Sequence, residues 1–258
     1  MGRGQRRDRL IETILTDAMT KTSAVQQAAG CCMAGCALAG AAWAVRGRSS
    51  SVFAPSVWRA RAGSKSVAIT FDDGPGPATP RFLETLAEFR IPATFFQIGL
   101  NVLRHPGIAR EVRAQGHEIG NHSHSHLNFA LKSAGLIEND FTRAQSAIGD
   151  ATGFTPVLMR APYGVRWFGF RCMQAKLGLR GVMWSVIGLD WKLPATAIAE
   201  RVLSRVKDGG IICLHDGRGT TESPDVSPAL EAVRRIVPAL LEAGYHFETV
   251  SQLLCHQI

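Results

Sequence analysis

No CxxC pair occurs anywhere in this chain, and its six cysteines do not pair off by position. Cys31, Cys32 and Cys36 crowd one apolar stretch, while Cys172, Cys213 and Cys255 are widely spaced and odd in number. A zinc knuckle and a disulfide framework are therefore excluded, and the last three cysteines read as buried thiols. Runs of basic residues are missing too. The net charge is +8, yet no run of Lys or Arg exceeds two, and no nucleic-acid motif is visible. The charge reads as a generally basic surface with no nucleic-acid partner. No internal repeat is apparent. What is present is a folding composition: 46% apolar and 19% charged residues over 258 positions. That suits one large α/β domain, or two small ones, and not a disordered chain.

Long apolar runs are scarce. The one candidate, residues 28–45, is uncharged and rich in Ala, Gly and Cys. Its length, about 18 residues, is near the lower limit for a membrane span. It reads as an anchor, as a signal sequence cleaved after Ala37-Leu38-Ala39 or Ala42-Trp43-Ala44, or as a packed helix. Before it, Leu10, Ile11, Ile14, Leu15 and Met19 repeat at helical spacing, so residues 1–27 read as an amphipathic segment. Basic residues flank both sides, and the positive-inside rule fixes no orientation. Residues 46–66, with Ser49, Ser50 and Ser51, read as a polar linker. The expected location is the bacterial cell envelope, either anchored in the inner membrane through the N-terminus or exported.

From residue 67 onward short apolar runs alternate with helix-like stretches. Strands are expected at 67–71, 93–98, 118–120, 157–159, 182–186, 211–214 and 247–250. Helices are expected at 80–89, 108–115, 136–151, 170–176, 195–206 and 229–243. This alternation predicts parallel βα units, about seven of them, closing into a barrel or forming an open sheet. Polar groups follow the strands: Asp72 and Asp73, His122, Arg160, Asp190 and His215. In a parallel barrel the C-terminal strand ends share one face, so these groups converge.

Two clusters carry chemistry. In His122-Ser123-His124-Ser125-His126 the histidines share one face if extended, whereas on a helical turn His122 and His126 stack at i, i+4. In Thr70-Phe71-Asp72-Asp73-Gly74-Pro75 an apolar strand runs into a turn, where adjacent carboxylates point apart. One can then bind a metal while the other stays free as a base. Two histidines and one carboxylate leave coordination positions open for water and substrate.

At this point the chain resembles the polysaccharide deacetylases with a NodB-homology domain, carbohydrate esterase family 4, over residues 67–258. Five ordered motifs carry the resemblance. They are the Thr70–Pro75 segment, the His122–His126 segment, Arg160-Ala161-Pro162-Tyr163-Gly164, Asp190-Trp191 and Leu214-His215-Asp216. The resemblance implies a distorted, incomplete (β/α) barrel, TIM-like, with about seven strands. It implies that Asp73, His122 and His126 hold a divalent metal, zinc or else cobalt, manganese or nickel. By the same resemblance Asp72 is the general base, Arg160 orients it, His215 is the general acid and Asp190 tunes His215. Tyr163 offers its backbone N–H to the oxyanion and Trp191 lines the acetyl pocket, with Pro162 and Leu214 also expected at the substrate.

The implied function is metal-dependent removal of N-acetyl or O-acetyl groups from an acetylated glycan, peptidoglycan or chitin-like. Hydrolysis of another amide, such as a cyclic imide, and a non-catalytic glycan-binding module are the alternatives. The paired Asp72 argues against the first. The full set of base, acid and ligands argues against the second. The chain departs from the family pattern twice. Ile187 stands where an additional Asp is common, and Cys213 stands where Leu is usual, which alters the wall of the acetyl pocket.

Overall fold

The structure, a computed structural model, describes residues 35–63 and 65–255. The chain divides into two units, Met1–Ala44 and Val45–Ile258. In the first unit residues 35–44 are helical. The expected amphipathic segment 1–27 and residues 28–34 of the apolar stretch lie outside the described residues. Among the described residues no helix is long and apolar enough to cross a membrane.

The second unit is built on parallel strands: β1 (Ser56–Val57), β2 (Ser66–Asp72), β3 (Thr94–Gln97), β4 (Glu118–Asn121), β5 (Leu158–Met159), β6 (Arg180–Val182), β7 (Val186–Ile187), β8 (Gly210–His215) and β9 (His246–Phe247). Their order is β1-β6-β5-β4-β3-β2-β8-β7, with β9 joined to β2. The two ends of this order do not pair, so the sheet is a barrel left open, as the resemblance implied. The helices are α1 (Thr79–Glu88), α2 (Gly99–Arg104), α3 (Pro106–Ala114), α4 (Ala134–Thr152), α5 (Phe170–Leu177), α6 (Ala195–Leu203), α7 (Ser227–Glu242) and α8 (Val250–Cys255). Proline in the first turn starts α1 and α3, where its missing N–H costs no hydrogen bond.

Every residue of β2 is buried, as expected of a parallel strand covered on both faces. Alternation divides its side chains. Val67, Ile69 and Phe71 join the cluster made with Phe82, Leu83 and Leu86 of α1 and Ile236 of α7. Ala68 faces the other way, toward Phe96, Val182 and Ile211. Thr70 and Asp72 continue that inner row. Strand β8 alternates in step: Ile212 and Leu214 belong to the helix-side cluster, and Ile211 to the inner one. The register pairs Thr70 with Cys213 and Asp72 with His215, so the inner rows of two strands meet at the site.

The run expected to be one strand at 182–186 is two short ones. β6 pairs with β5 and β1, while β7 pairs with β8 at the other end of the order. Residues 183–185 cross between them, held by Met183 N–H on the Val57 carbonyl (2.6 Å) and Ser185 N–H on the Ile211 carbonyl (2.9 Å). Apolar periodicity records burial but not the partner strand, so it merged the two. Helix α2 was not expected, and the strand expected at 247–250 gives way to α8 at Val250. Cys213 is buried, as anticipated for all three isolated cysteines, but Cys172 and Cys255 are exposed.

The stretch 46–66 is no linker. β1 adds to the sheet through β6, and Ala54 and Ala60 are buried. The buried Arg166 side chain gathers this segment, donating to the carbonyls of Gly47 and Ser50 and to the Ser56 hydroxyl. Arg171 donates to the Ser51 carbonyl and Gln174 to that of Pro55. Side chains far along the sequence satisfy the segment's backbone, a signal that local composition does not carry. Arg166→Met removes the hydrogen bonds to the Gly47 and Ser50 carbonyls and to the Ser56 hydroxyl, and should cost about 1–3 kcal/mol. Trypsin should then cut at Arg48 and Arg59 well before the rest of the domain, as followed by mass spectrometry.

Candidate active site

Asp72 closes β2, and the next residue turns out of the strand. Asp73 has φ 75°, a left-handed conformation that costs a non-glycine residue about 1–3 kcal/mol. This turn sends the two carboxylates different ways. The surroundings hold it. Asn101 Nδ2 of α2 donates to the Asp73 carbonyl (2.8 Å) and to that of Gly219 (2.9 Å). Gly219 N–H donates to Asp73 Oδ2 (2.9 Å). A Cβ at Gly217 would lie 2.5 Å from the Asp73 carbonyl oxygen, so the loop after β8 needs glycine there.

Asp73 Oδ1 has no hydrogen-bond partner although it is buried. It faces His126 Nε2 at 3.0 Å and His122 Nε2 at 3.3 Å. His122 Nδ1 donates to the Arg160 carbonyl (2.8 Å), which in a neutral imidazole leaves Nε2 as a lone-pair acceptor. Two acceptors facing each other at 3.3 Å repel unless a cation lies between them. The donor set of one carboxylate and two imidazoles suits a divalent ion of zinc type with positions left open. Burial alone would raise the Asp73 carboxyl, but His122 and His126 rings that carry the Nε2 proton, or a cation in its place, hold it well below the usual carboxylate range.

The histidine segment is neither strand nor helix. Ser123 (φ 66°) and His126 (φ 54°) are left-handed, and the loop folds so that both outer histidines reach Asp73. Asp140, on α4, accepts from the backbone N–H of His124 (2.7 Å) and Ser125 (3.2 Å) and from the Ser125 hydroxyl. His124 is buried on the other side, against Gly99.

Asp72 is held apart by Arg160. The guanidinium is fully buried. It donates from Nη1 to Asp72 Oδ1 (2.6 Å) and Thr70 Oγ1 (2.8 Å), and from Nη2 to the Met183 carbonyl (3.2 Å). Its carbon lies 4.1 Å from the centre of the Phe96 ring. Asp72 Oδ2 remains, with the Cys213 thiol 3.5 Å away. Beside it His215 Nδ1 meets Asp190 Oδ1 (2.9 Å), and the other Asp190 oxygen accepts the His215 backbone N–H (2.9 Å). Burial works to lower His215, but the charge and hydrogen bond of Asp190, then Asp73 and Asp72, raise it from 6.5 to about 9. His215 can therefore carry a proton at neutral pH.

Asp72, Asp73, His122, His126, Cys213 and His215 line one cavity of about 540 Å³, with Tyr163, Trp184, Ile187 and Trp191 in its walls and Arg46, Lys192 and Arg218 also lining it; Arg160 and Asp190 lie behind it. Tyr163 (φ 58°) lies edge-on to His126, centroids 4.7 Å apart. Trp191 stands at 90° to His215 at 5.3 Å. Both aromatics are about half exposed. Leu214 and Pro162 do not line the cavity. On β8 the residues at 213 and 215 face inward, so Leu214 faces the helices and packs in the core. Pro162 is buried beneath the turn that presents Tyr163.

The profile of the polysaccharide deacetylase family matches residues 59–182. A chitooligosaccharide deacetylase of Bradyrhizobium sp. is 36% identical, over 74% of this chain and 91% of the relative. A peptidoglycan-N-acetylglucosamine deacetylase of Bacillus cereus is also 36% identical, over 76% of this chain and 92% of the relative. The chain belongs to the polysaccharide deacetylase family. Among solved structures, the Bc1960 peptidoglycan N-acetylglucosamine deacetylase in complex with 4-naphthalen-1-yl-N-hydroxybenzamide is similar at TM-score 0.72 and 29% identity, covering 77% of this chain and 92% of that one.

Some residues that build this deacetylase-family site carried no sequence signal of their own. Asp140 sits in mid-helix, visible only as a carboxylate on an otherwise apolar face. Asn101 lies on the unexpected α2. Asp216, which stood in the fifth motif without a role, accepts from the Thr79 hydroxyl (2.6 Å), and its N–H donates to the Asp72 carbonyl (3.2 Å). Burial pushes its carboxyl up to about 7, with Asp73 and Asp72 adding to the effect and Thr79 opposing it.

Two outcomes follow from these contacts. Arg160→Met leaves the Asp72 charge buried without its partner and should cost about 3–5 kcal/mol in urea unfolding. Adding Asp72→Asn should recover part of that loss, a coupling that a double-mutant cycle would measure. For His215, the folded pKa lies above the unfolded one. The Asp190 pair therefore stabilises fully below pH about 6.5 and is lost as pH rises through about 9. Unfolding free energies on either side of that window should differ in the native chain and differ much less in Asp190→Asn.

Proposed function

We propose that this chain is a metal-dependent deacetylase that hydrolyses the acetamido groups of an envelope glycan, peptidoglycan or chitin-like. The observation that carries this reading is the unpartnered Asp73 Oδ1 between two imidazole nitrogens, in the same cavity as Asp72 and His215. A divalent ion held by Asp73, His122 and His126, zinc in the first instance and cobalt, manganese or nickel otherwise, would supply Lewis-acid polarisation of the acetyl carbonyl and a more acidic water.

The chain's own groups do the rest. Asp72 Oδ2, the oxygen Arg160 leaves free, takes the proton of the attacking water. The Tyr163 backbone N–H donates to the oxyanion as it forms. His215 Nε2 gives its proton to the departing sugar nitrogen, and Asp190 keeps that proton in place until then. Trp191, Ile187 and Cys213 wall the space for the acetyl methyl, and the exposed faces of Tyr163 and Trp191 suit a sugar ring. The names of the relatives support an N-acetylglucosamine polymer as substrate. We place the chain at the cell envelope, with the apolar N-terminal stretch as tether or export signal.

Acetate release from N-acetylglucosamine oligomers and from peptidoglycan should vanish on chelation and return with zinc, cobalt or manganese. Asp72→Asn should lower the rate about 10²–10⁴-fold with the ion content unchanged, whereas His126→Ala should lower the ion content itself. A chelated protein that stays fully active on every glycan in the panel would defeat the reading.

A further inference from the structure

Asp72, Cys213 and His215 form a second three-donor cluster beside the first. Their donor atoms all lie within 4.8 Å of one another, and the three residues line the same cavity as Asp73, His122 and His126. The cluster follows from strand geometry. Residues two apart on β8 share a face, and the register sets Cys213 against Thr70 and His215 against Asp72. Two of the donors have one atom left to the cluster by a bond made elsewhere. Arg160 occupies Asp72 Oδ1 and leaves Oδ2. Asp190 occupies His215 Nδ1 and leaves Nε2. Cys213 is fully buried with its sulfur 3.5 Å from Asp72 Oδ2.

A tetrahedral ion at ordinary zinc bond lengths separates its donors by about 3.4–3.6 Å. The sulfur–oxygen distance already meets that value. Thiolate and imidazole favour soft or borderline ions, zinc and cadmium among them, over magnesium or manganese. Burial and the nearby Asp72 charge push the Cys213 thiol well above its usual range, so without an ion it is a neutral group beside the carboxylate.

We propose that Asp72, Cys213 and His215 form a second, inhibitory site for a thiophilic divalent ion. Binding forms bonds from the ion to Cys213 Sγ, Asp72 Oδ2 and His215 Nε2. It releases the thiol proton and the Nε2 proton to solvent. No group is oxidised or reduced. An ion seated there covers the carboxylate oxygen and the imidazole nitrogen together. That it inhibits rests on the roles proposed above for Asp72 and His215; that it binds does not. The site gives the chain a ceiling on soft-metal concentration, above which the ion that fills the first cluster also blocks the second.

Zinc-loaded full-length protein titrated with cadmium provides the test, read in two ways. The first is the ultraviolet charge-transfer band of a cadmium–thiolate bond. The difference between the native chain and Cys213→Ser isolates this sulfur from the other five cysteines, which both proteins keep. We expect a difference band that saturates at one ion per chain, and a smaller one in His215→Gln. The second is acetate release, scaled to each protein's own rate without cadmium. Half-inhibition in Cys213→Ser should need a cadmium concentration raised by more than the 10–100-fold (order of magnitude) that loss of an outer-shell partner costs a metal site. Manganese should show no inhibition that depends on Cys213.

No difference band in either Cys213→Ser or Cys213→Ala would overturn the site. A band that saturates while acetate release continues would keep the site and overturn the roles of Asp72 and His215. Equal cadmium sensitivity of the native chain and Cys213→Ser would overturn the inhibition.

Discussion

A guanidinium with no exposed surface stands at the centre of this structure. Burying an ion costs several kcal/mol even after relaxation, and Arg160 is tolerable only because its donors are met. Thr70 and Asp72 come from β2, and Val182 and Met183 supply carbonyls at the point where the chain leaves β6. The ring of Phe96, from β3, covers its face. One side chain thus ties three strands and the crossing segment 183–185. Its main chain does separate work. The Arg160 carbonyl accepts His122 Nδ1–H, which sets which nitrogen that histidine offers to Asp73. The orientation of the proposed base and the tautomer of a proposed metal ligand therefore depend on the same residue, by independent bonds.

The remaining order comes from parallel pairing. Because β2 and β8 run the same way with Asp72 opposite His215, an acid and a carboxylate at two strand ends meet without any long loop to bring them together. The strained turn at Asp73 follows from that arrangement. Were residue 73 to continue the strand, its side chain would join Phe71 on the helix side of the sheet. The left-handed φ turns it to the mouth of the cavity, and hydrogen bonds from Asn101 and Gly219 stabilise the turn.

Much of this was legible in the residues, and the boundary is physical. Alternating apolar runs show burial, so β2, β3, β8 and the larger helices could be placed. They do not show which strand lies alongside, so 182–186 was read as one strand and the sheet partner at Ser56–Val57 as linker. Asp72, Asp73, His122, His126, Arg160, Asp190 and His215 were expected to converge because they follow strands in sequence or match ordered motifs, and the structure brings them together. Leu214 was misplaced at the substrate because a motif names neighbours without saying which face each takes; strand alternation sends it to the core. Asp140 and Asn101 escaped because they act on backbone amides and carbonyls of distant loops, and such acceptors and donors have no sequence pattern.

Several carboxylates crowd this site, and surroundings rather than residue type divide their states. Asp73, faced by two imidazoles, is held well below the usual range. Asp216, close by, is buried with Thr79 and its own backbone N–H to help it, and is pushed up to about 7. His215, though largely enclosed, goes the other way from what burial alone dictates because Asp190 is bonded to it. A site that holds the Asp73 carboxyl low and the His215 imidazole high has its opposite proton demands already separated. A cation between Asp73 and the histidines would favour the ionised carboxylates but oppose the imidazolium. The close bonds of Asp190 to both the backbone and the ring of His215 are then what keeps a proton on that ring, and this is why the strand end that carries His215 needs a buried partner and not a solvent-exposed one.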